Sequence, residues 1–496
     1  MTSGIGEKAA RGALLTLLGG MPMHLLSFGL TLLCARLLVP EAFGAYSLAL
    51  AIYGFSDLLT NPTVLTYLVR NPSCTHHAID VAWTASAIRG LLLLAGFWLL
   101  APVLARTFGG DHQVVLLLRV LSLGFVANGL RNLHVARLHH ELRFGSITLM
   151  ESGGSAAGSL VAITLLAYSR NPIALVIGQV AGEALHTAAT WVVARRRPRL
   201  AFDHRELLIM WRFSRWLVIN GLVIYALLNL DDLLVAKLAG TAALGIYAMS
   251  YRIVNASVLF VIRPLGGVLL PTLARLLQDK EQFTRATLSA VSIFSSISWC
   301  LCSAGWVLAP DLFAVIGDAT DWQAAAPVFQ ALLPFVLVRA INQSMGAMIL
   351  AAGRPGVLTA VSGVQLALMI PLSLLGFNMW GLNGLIAAIV ALSVGAMLGL
   401  LLLAPSFVSV GRWQLLGILV APAPAAFLGA AAAHVVSLGI GGAAARLAVG
   451  TVAAVLTFAV GWELSCRSRL GPLRNAPSSL QIAARALRRQ SATPGT

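Results

Sequence analysis

Asn229-Leu-Asp-Asp-Leu-Leu-Val-Ala-Lys-Leu-Ala-Gly-Thr-Ala-Ala-Leu-Gly-Ile-Tyr-Ala-Met-Ser-Tyr251 decides the fold, because the first fifty residues contain a degenerate copy of it. Shifted back by about 200 positions, Ala236, Lys237, Leu238, Ala243, Gly245 and Tyr247 fall on Ala35, Arg36, Leu37, Ala42, Gly44 and Tyr46 in the same order and spacing. Each copy ends one long apolar stretch, passes through a short linker carrying a single cation, and restarts at Gly-x-Tyr as the next. Solenoid repeats recur every 20–50 residues or so, so a hairpin repeated at this interval marks two homologous bundles of several helices each. The expected architecture is a two-lobed, all-α transport protein of the membrane.

Composition agrees. Of 496 residues, 58% are hydrophobic and only 10% charged, with a mean hydropathy of +0.86. Soluble domains carry about 25% charged residues, so lipid must be the main solvent of this chain. A net charge of +16 elsewhere suggests nucleic acid, but here the cations fall in alternate loops between apolar spans, the pattern of a topology signal. Cys34, Cys74, Cys300, Cys302 and Cys466 form no CxxC pair and no even framework, so they read as small hydrophobes, with neither disulfide nor metal site expected. Lys8 and Arg11 precede an apolar run too long for a signal peptide, which reads as a retained first helix.

Apolar stretches of about 20 residues give about fourteen transmembrane helices, near 13–35, 43–66, 80–105, 113–131, 146–168, 172–194, 208–236, 244–270, 286–309, 325–351, 357–376, 381–404, 412–434 and 443–464. One set of faces collects Lys8, Arg11, Arg70, Arg131, Arg137, Arg143, the Arg195 to Arg212 segment, Arg275, Lys280, Arg285, Arg354, Arg412 and the arginines from Arg467 to Arg489. The other has only Arg36, Arg106, Arg170, Lys237 and Arg446, and bears Asp311, Asp318 and Asp321. By the positive-inside rule both termini are cytoplasmic. The arginine-rich connection falls where the repeat places a boundary, giving lobes of six helices each over 1–200 and 201–407, two further helices over 408–464, and a basic tail over 465–496 suited to lying on anionic lipid or to remaining disordered.

Within this frame the hairpin wording becomes specific. Ala35-Arg-Leu-Leu-Val-Pro-Glu-Ala-Phe-Gly-Ala-Tyr-Ser-Leu-Ala49 resembles the first-hairpin signature of the polysaccharide transporters in the multidrug/oligosaccharidyl-lipid/polysaccharide exporter superfamily. Asn229 to Tyr247 resembles the signature opening the second lobe, and Arg263-Pro-Leu-Gly-Gly-Val-Leu-Leu-Pro-Thr-Leu-Ala-Arg275 the end of the eighth helix. Asp232 departs from the family pattern, which has a cation or a neutral polar residue there. The resemblance implies a flippase of the bacterial inner membrane that moves undecaprenyl-pyrophosphate-linked oligosaccharide to the periplasmic leaflet by alternating access. It also implies polysaccharide polymerase and chain-length machinery as partners, no cofactor, and coupling to a proton or sodium gradient. Rival readings are a peptidoglycan-precursor flippase, a multidrug cation antiporter, and a membrane glycosyltransferase or polymerase. The last needs a sizeable extramembrane loop, and the linkers here are short.

Charges at bilayer depth cost about 2.5–3.5 kcal/mol on insertion scales, so they mark cavities or partners. Arg89, Arg252 and Arg339 lie deepest among the cations, with Arg119 shallower, and nothing near them in sequence offers a carboxylate. A guanidinium fork suits phosphate bidentately, so these four are the pyrophosphate-binding candidates. Ion pairing to another helix is the alternative. Glu183, Asp57 and Asp231 are the ion-coupling candidates, Glu183 first because it is deepest, and here too pairing with a neighbouring arginine is the alternative. Kinks are expected at Pro22, Asn61-Pro62, Pro264, Pro271, Pro334 and Pro371. The His76-His77 and His139-His140 pairs read as solvated loop residues.

Overall fold

With almost no water to satisfy backbone groups in a bilayer, a chain this apolar can only be helical, and the computed structural model has no strand among its described residues, which are 22–60, 64–71, 74–141, 143–194, 196–317, 322–406 and 412–467. The start of the first expected span, Lys8, Arg11, Asn61-Pro62, Arg195, Asp318, Asp321 and the tail beyond Arg467 lie outside these residues. The helices are α1 (Pro22–Leu37), α2 (Pro40–Thr60), α3 (Val64–Arg70), α4 (His76–Thr107), α5 (His112–Leu121), α6 (Leu123–Gly129), α7 (Ala136–His140), α8 (Phe144–Ser169) and α9 (Ile173–Val193). They continue as α10 (His204–Ser257), α11 (Arg263–Arg275), α12 (Lys280–Ile316), α13 (Ala325–Leu332), α14 (Pro334–Ala351), α15 (Pro355–Leu403), α16 (Arg412–Val420), α17 (Ala423–Leu438) and α18 (Ala443–Arg467). Ten helical runs among the described residues are long and apolar enough to cross a membrane. The chain is a multi-pass membrane protein.

Two of those runs are hairpins rather than rods. In α10 the backbone breaks at Gly240 (φ 89°), a left-handed conformation that glycine adopts without Cβ strain. Asp231 and Tyr247, 16 positions apart, are joined side chain to side chain across it, which a straight helix of 1.5 Å rise per residue would prevent. In α15 the break is at Trp380 and Gly381, and Gly376 packs on the carbonyl of Gly384. The first hairpin turns at Leu38-Val39, between α1 and α2, the position that the repeat aligns with the Gly240 turn.

By packing, the chain divides into two compact units, Met1–Met249 and Ser250–Thr496. Small residues bring α8 and α9 together in the first unit: a Cβ on Gly158 would lie 2.5 Å from the Gly178 carbonyl oxygen, and one on Gly178 2.6 Å from that of Gly158. This is the close approach that small-xxx-small patterns permit in lipid, and it fixes where Glu183 stands on α9. The second unit has a core of Leu273, Val291, Ile341, Met345, Met348 and Leu401, among others. Its π-helical turn over Val258–Ile262 precedes Pro264, whose missing N–H interrupts the helical ladder. Many large apolar side chains, such as Leu91, Leu92, Leu99 and Val103 on α4, face outward, as lipid-facing positions should.

Candidate functional site

The two copies of the repeated hairpin meet. A Cβ on Gly44 would lie 1.8 Å from the carbonyl oxygen of Thr241, and one on Gly245 would lie 1.7 Å from that of Pro40. Since the repeat aligns 44 with 245 and 40 with 241, each copy presents its glycine to the same backbone carbonyl of the other. The sequence singled out these glycines as repeat markers, and their mutual contact shows why no side chain fits there. Just beyond this seam, the Tyr247 hydroxyl donates to Asp231 Oδ2 at 2.6 Å, with both residues buried.

The charged candidates fall in both units. In the first, Arg89 donates to Asp57 Oδ1 at 3.3 Å and to the Asp57 carbonyl at 3.4 Å. Their side chains are only 13% and 23% exposed, so this is a largely buried ion pair. Glu183 accepts from Arg131, which lies just past α6 rather than free in a loop. Glu183 also helps line a cavity of about 270 Å³ with Ser27, Ser155, Gln179 and His186. Arg119 lies 5.5 Å from the ring centre of Trp98, a cation–π contact. In the second unit, Arg339 on α14 donates to the Tyr251 hydroxyl and lies 5.5 Å from that ring's centre. Among the described residues no carboxylate lies within ion-pairing distance of Arg339. Arg252, beside Tyr251, is partly buried.

A further cluster was not evident from sequence. Asp80 and His134 are 5% and 4% exposed, and the His134 ring donates from Nε2 to Asp80 Oδ1 at 3.1 Å. Asp80 also accepts from the Arg199 backbone N–H at 3.3 Å. Thr84 Oγ1 accepts from the Ala201 N–H at 3.0 Å, and Asn132 donates to the Arg196 carbonyl at 2.9 Å. The arginine-rich connection between α9 and α10 is thereby strapped to α4 and to the segment after α6. Burial pushes His134 below its ordinary value, against the raising influence of Asp80. His76 contacts Arg137 and the His134 ring, and His140 contacts the Leu68 carbonyl. Those two loop histidines therefore have partners and are not merely solvated. The only sequence signal for this cluster was polar residues within apolar runs, and nothing local links 80, 134 and 199.

Comparison with known proteins completes the picture. Residues 33–327 match the family model described as polysaccharide biosynthesis protein. The chain is 21% identical over 352 residues to the lipopolysaccharide biosynthesis protein WzxC of Escherichia coli (strain K12), covering 71% of each. It is 21% identical over 295 residues to the succinoglycan biosynthesis transport protein ExoT of Rhizobium meliloti (strain 1021), spanning 59% of that relative's length and 59% of its own. Among solved structures it is similar to the lipid II flippase MurJ in an inward closed conformation, with a TM-score of 0.74, covering 92% of this chain and 99% of that one at 12% identity. At that identity the likeness is one of fold.

Proposed function

We propose, from the premise that this chain belongs to the polysaccharide biosynthesis protein family, that it is a flippase and not an enzyme. Its cargo is an oligosaccharide on undecaprenyl pyrophosphate, moved to the periplasmic leaflet of the bacterial inner membrane for cell-surface polysaccharide assembly. The lobes are 1–200 and 201–407, with 408–464 and the tail 465–496 appended, and both termini are cytoplasmic. Polymerase and chain-length machinery act on the product.

The observation that carries this reading is the reciprocal glycine seam, because alternating access is served by a closure that parts at low cost. Contacts between glycines and carbonyls are weak Cα–H···O contacts, each worth about 0.5–1 kcal/mol. Such a seam separates cheaply, and we place it at the periplasmic end.

Arg339 is the leading head-group contact in the second unit. An arginine beside a tyrosine, with no carboxylate partner among the described residues, keeps donor capacity for a phosphate. Arg252 and Arg119 supply further positive charge, and Arg89 takes part by exchanging Asp57 for cargo. Glu183, exchanging Arg131 for a proton or sodium ion, is the coupling group, with Asp57 and Asp231 secondary.

The test is flipping of a fluorescent polyprenyl-diphosphate oligosaccharide in proteoliposomes, normalised to folded protein. Arg339→Ala should weaken cargo binding roughly 10- to 150-fold, the worth of a hydrogen bond to a charged group at about 1.5–3 kcal/mol. Arg339→Lys should rescue only part of the loss, since the bidentate fork is gone. Normal flipping by the alanine variant would remove Arg339 from the cargo path. Equal transport of a lipid-linked peptidoglycan precursor would redirect the cargo assignment.

A further inference from the structure

We propose that a cavity at the α9–α10 end of the first unit is a separate binding site for a phosphoryl group at the membrane surface. It measures about 220 Å³, and its lining includes His134, Arg137, Glu141, Arg143 and Arg196. Three arginines thus line the cavity beside one acidic residue. Glu141 pairs with Arg143 only loosely, at 3.8 Å, with side chains 58% and 52% exposed. Arg137 donates to an imidazole, that of His76, at 2.9 Å. Among the described residues, no carboxylate lies within ion-pairing distance of Arg196. The cavity therefore keeps a positive surplus and unspent donors, which suit an oxyanion with several acceptor oxygens.

The arginines are placed by rigid neighbours. The Arg143 N–H donates to the Leu138 carbonyl at 2.9 Å, closing the turn after α7. The Arg196 carbonyl is held by the fully buried Asn132. Presenting donors on a fixed backbone limits the ordering cost of binding. Size restricts the ligand, since pockets for drug-sized organic molecules measure roughly 300–1,000 Å³. A phosphate or diphosphate fits this cavity, whereas a sugar repeat does not. Val193 and Ala194, at the end of the apolar helix α9, also line the cavity, and Trp191 and Val192 just before them are exposed, as suits a helix end at the membrane surface.

Two sources offer this chemistry: the diphosphate of the transported lipid and the phosphodiester of an anionic phospholipid. Only the first rests on the function proposed above. The experiment measures radiolabelled inorganic pyrophosphate binding to the full chain in phosphatidylcholine nanodiscs, and again with phosphatidylglycerol added. Arg137→Gln combined with Arg196→Gln should weaken binding at least about tenfold, while Arg285→Gln, at an exposed arginine paired with Glu281, should leave it unchanged. Glu141→Gln should tighten it a few-fold, a gain that misfolding cannot mimic. Competition by phosphatidylglycerol identifies a phospholipid occupant, and indifference to it identifies the diphosphate. Either result supports the site. Equal affinity in the wild type and the double arginine variant, or no effect of Glu141→Gln, would overturn it and leave these arginines as a topology signal. Because binding is read without transport, that failure would leave the flippase reading standing, and a flipping failure would leave this site standing.

Discussion

Gly245→Ala should force the repeated hairpins apart. The new Cβ would lie 1.7 Å from the Pro40 carbonyl oxygen, whereas carbon and oxygen approach comfortably to about 3.3 Å. The backbones must therefore separate by roughly 1.6 Å, and the obstacle is main chain, which cannot rotate out of the way. Overpacking of this kind costs about 1–3 kcal/mol, equivalent to roughly a 5- to 150-fold change in the ratio of closed to open forms. Gly44→Ala, at 1.8 Å from the Thr241 carbonyl, should act similarly. The two should be strongly non-additive, because a seam already parted by one methyl accommodates the other. Spin labels at Val39 and Ala242, both exposed beside the turns, would report the separation as a distance distribution. Gly29→Ala, with nothing within 4 Å of its Cβ, is the control that should leave the distances alone. Unchanged distances in both seam variants, at normal abundance, would refute the reasoning.

Arg89→Ala should lower the amount of folded protein, because breaking a buried ion pair costs roughly 3–5 kcal/mol, and Arg89→Ala with Asp57→Ala should recover much of it. Normal abundance of Arg89→Ala would mean that the pair with Asp57 contributes little to folding. Glu183→Gln should reduce gradient-driven flipping more than Asp231→Asn, measured per folded molecule with and without an imposed proton or sodium gradient. His134 sets a pH dependence: its folded value lies below the ordinary 6.5 because of burial, so the fold favours the neutral ring. Its contribution to stability is then complete above 6.5 and lost as pH falls through the lower folded value. The melting temperature should fall on acidification, with a shallower slope in His134→Gln.

The hairpins were legible because their signal is local: a cation, a small-residue turn and Gly-x-Tyr recur in register, and the backbone breaks at Leu38-Val39 and Gly240 fall in register too. Apolar length likewise located the helices, although Asp311 proved to lie within α12 and to accept from Arg446 at 2.8 Å, rather than in a loop. What stayed hidden was lateral packing. Arg89 lacks a nearby carboxylate in sequence because Asp57 is 32 positions away on another helix. Arg131 reads as a loop cation, yet it reaches Glu183 on α9, 52 positions on. Helical periodicity tells which residues share a face of one helix and not which face a neighbour turns towards it. The strap formed by Asp80, Thr84 and Asn132 was invisible for the same reason, since its partners are backbone groups of a segment without periodicity.

The reciprocity of the glycine contact also bears on descent. Residue 44 meeting the carbonyl of 241 while 245 meets that of 40 is an isologous arrangement, the kind made when two identical chains associate about a twofold axis. In a half-length ancestor assembling as a dimer, one codon would have governed both sides of the contact, and any side chain there would have clashed twice. Within a single chain the two glycines are separate mutational targets, each held to a backbone carbonyl of the other hairpin. A change at one glycine thus alters what the other can tolerate, so the two hairpins are constrained to change as a pair.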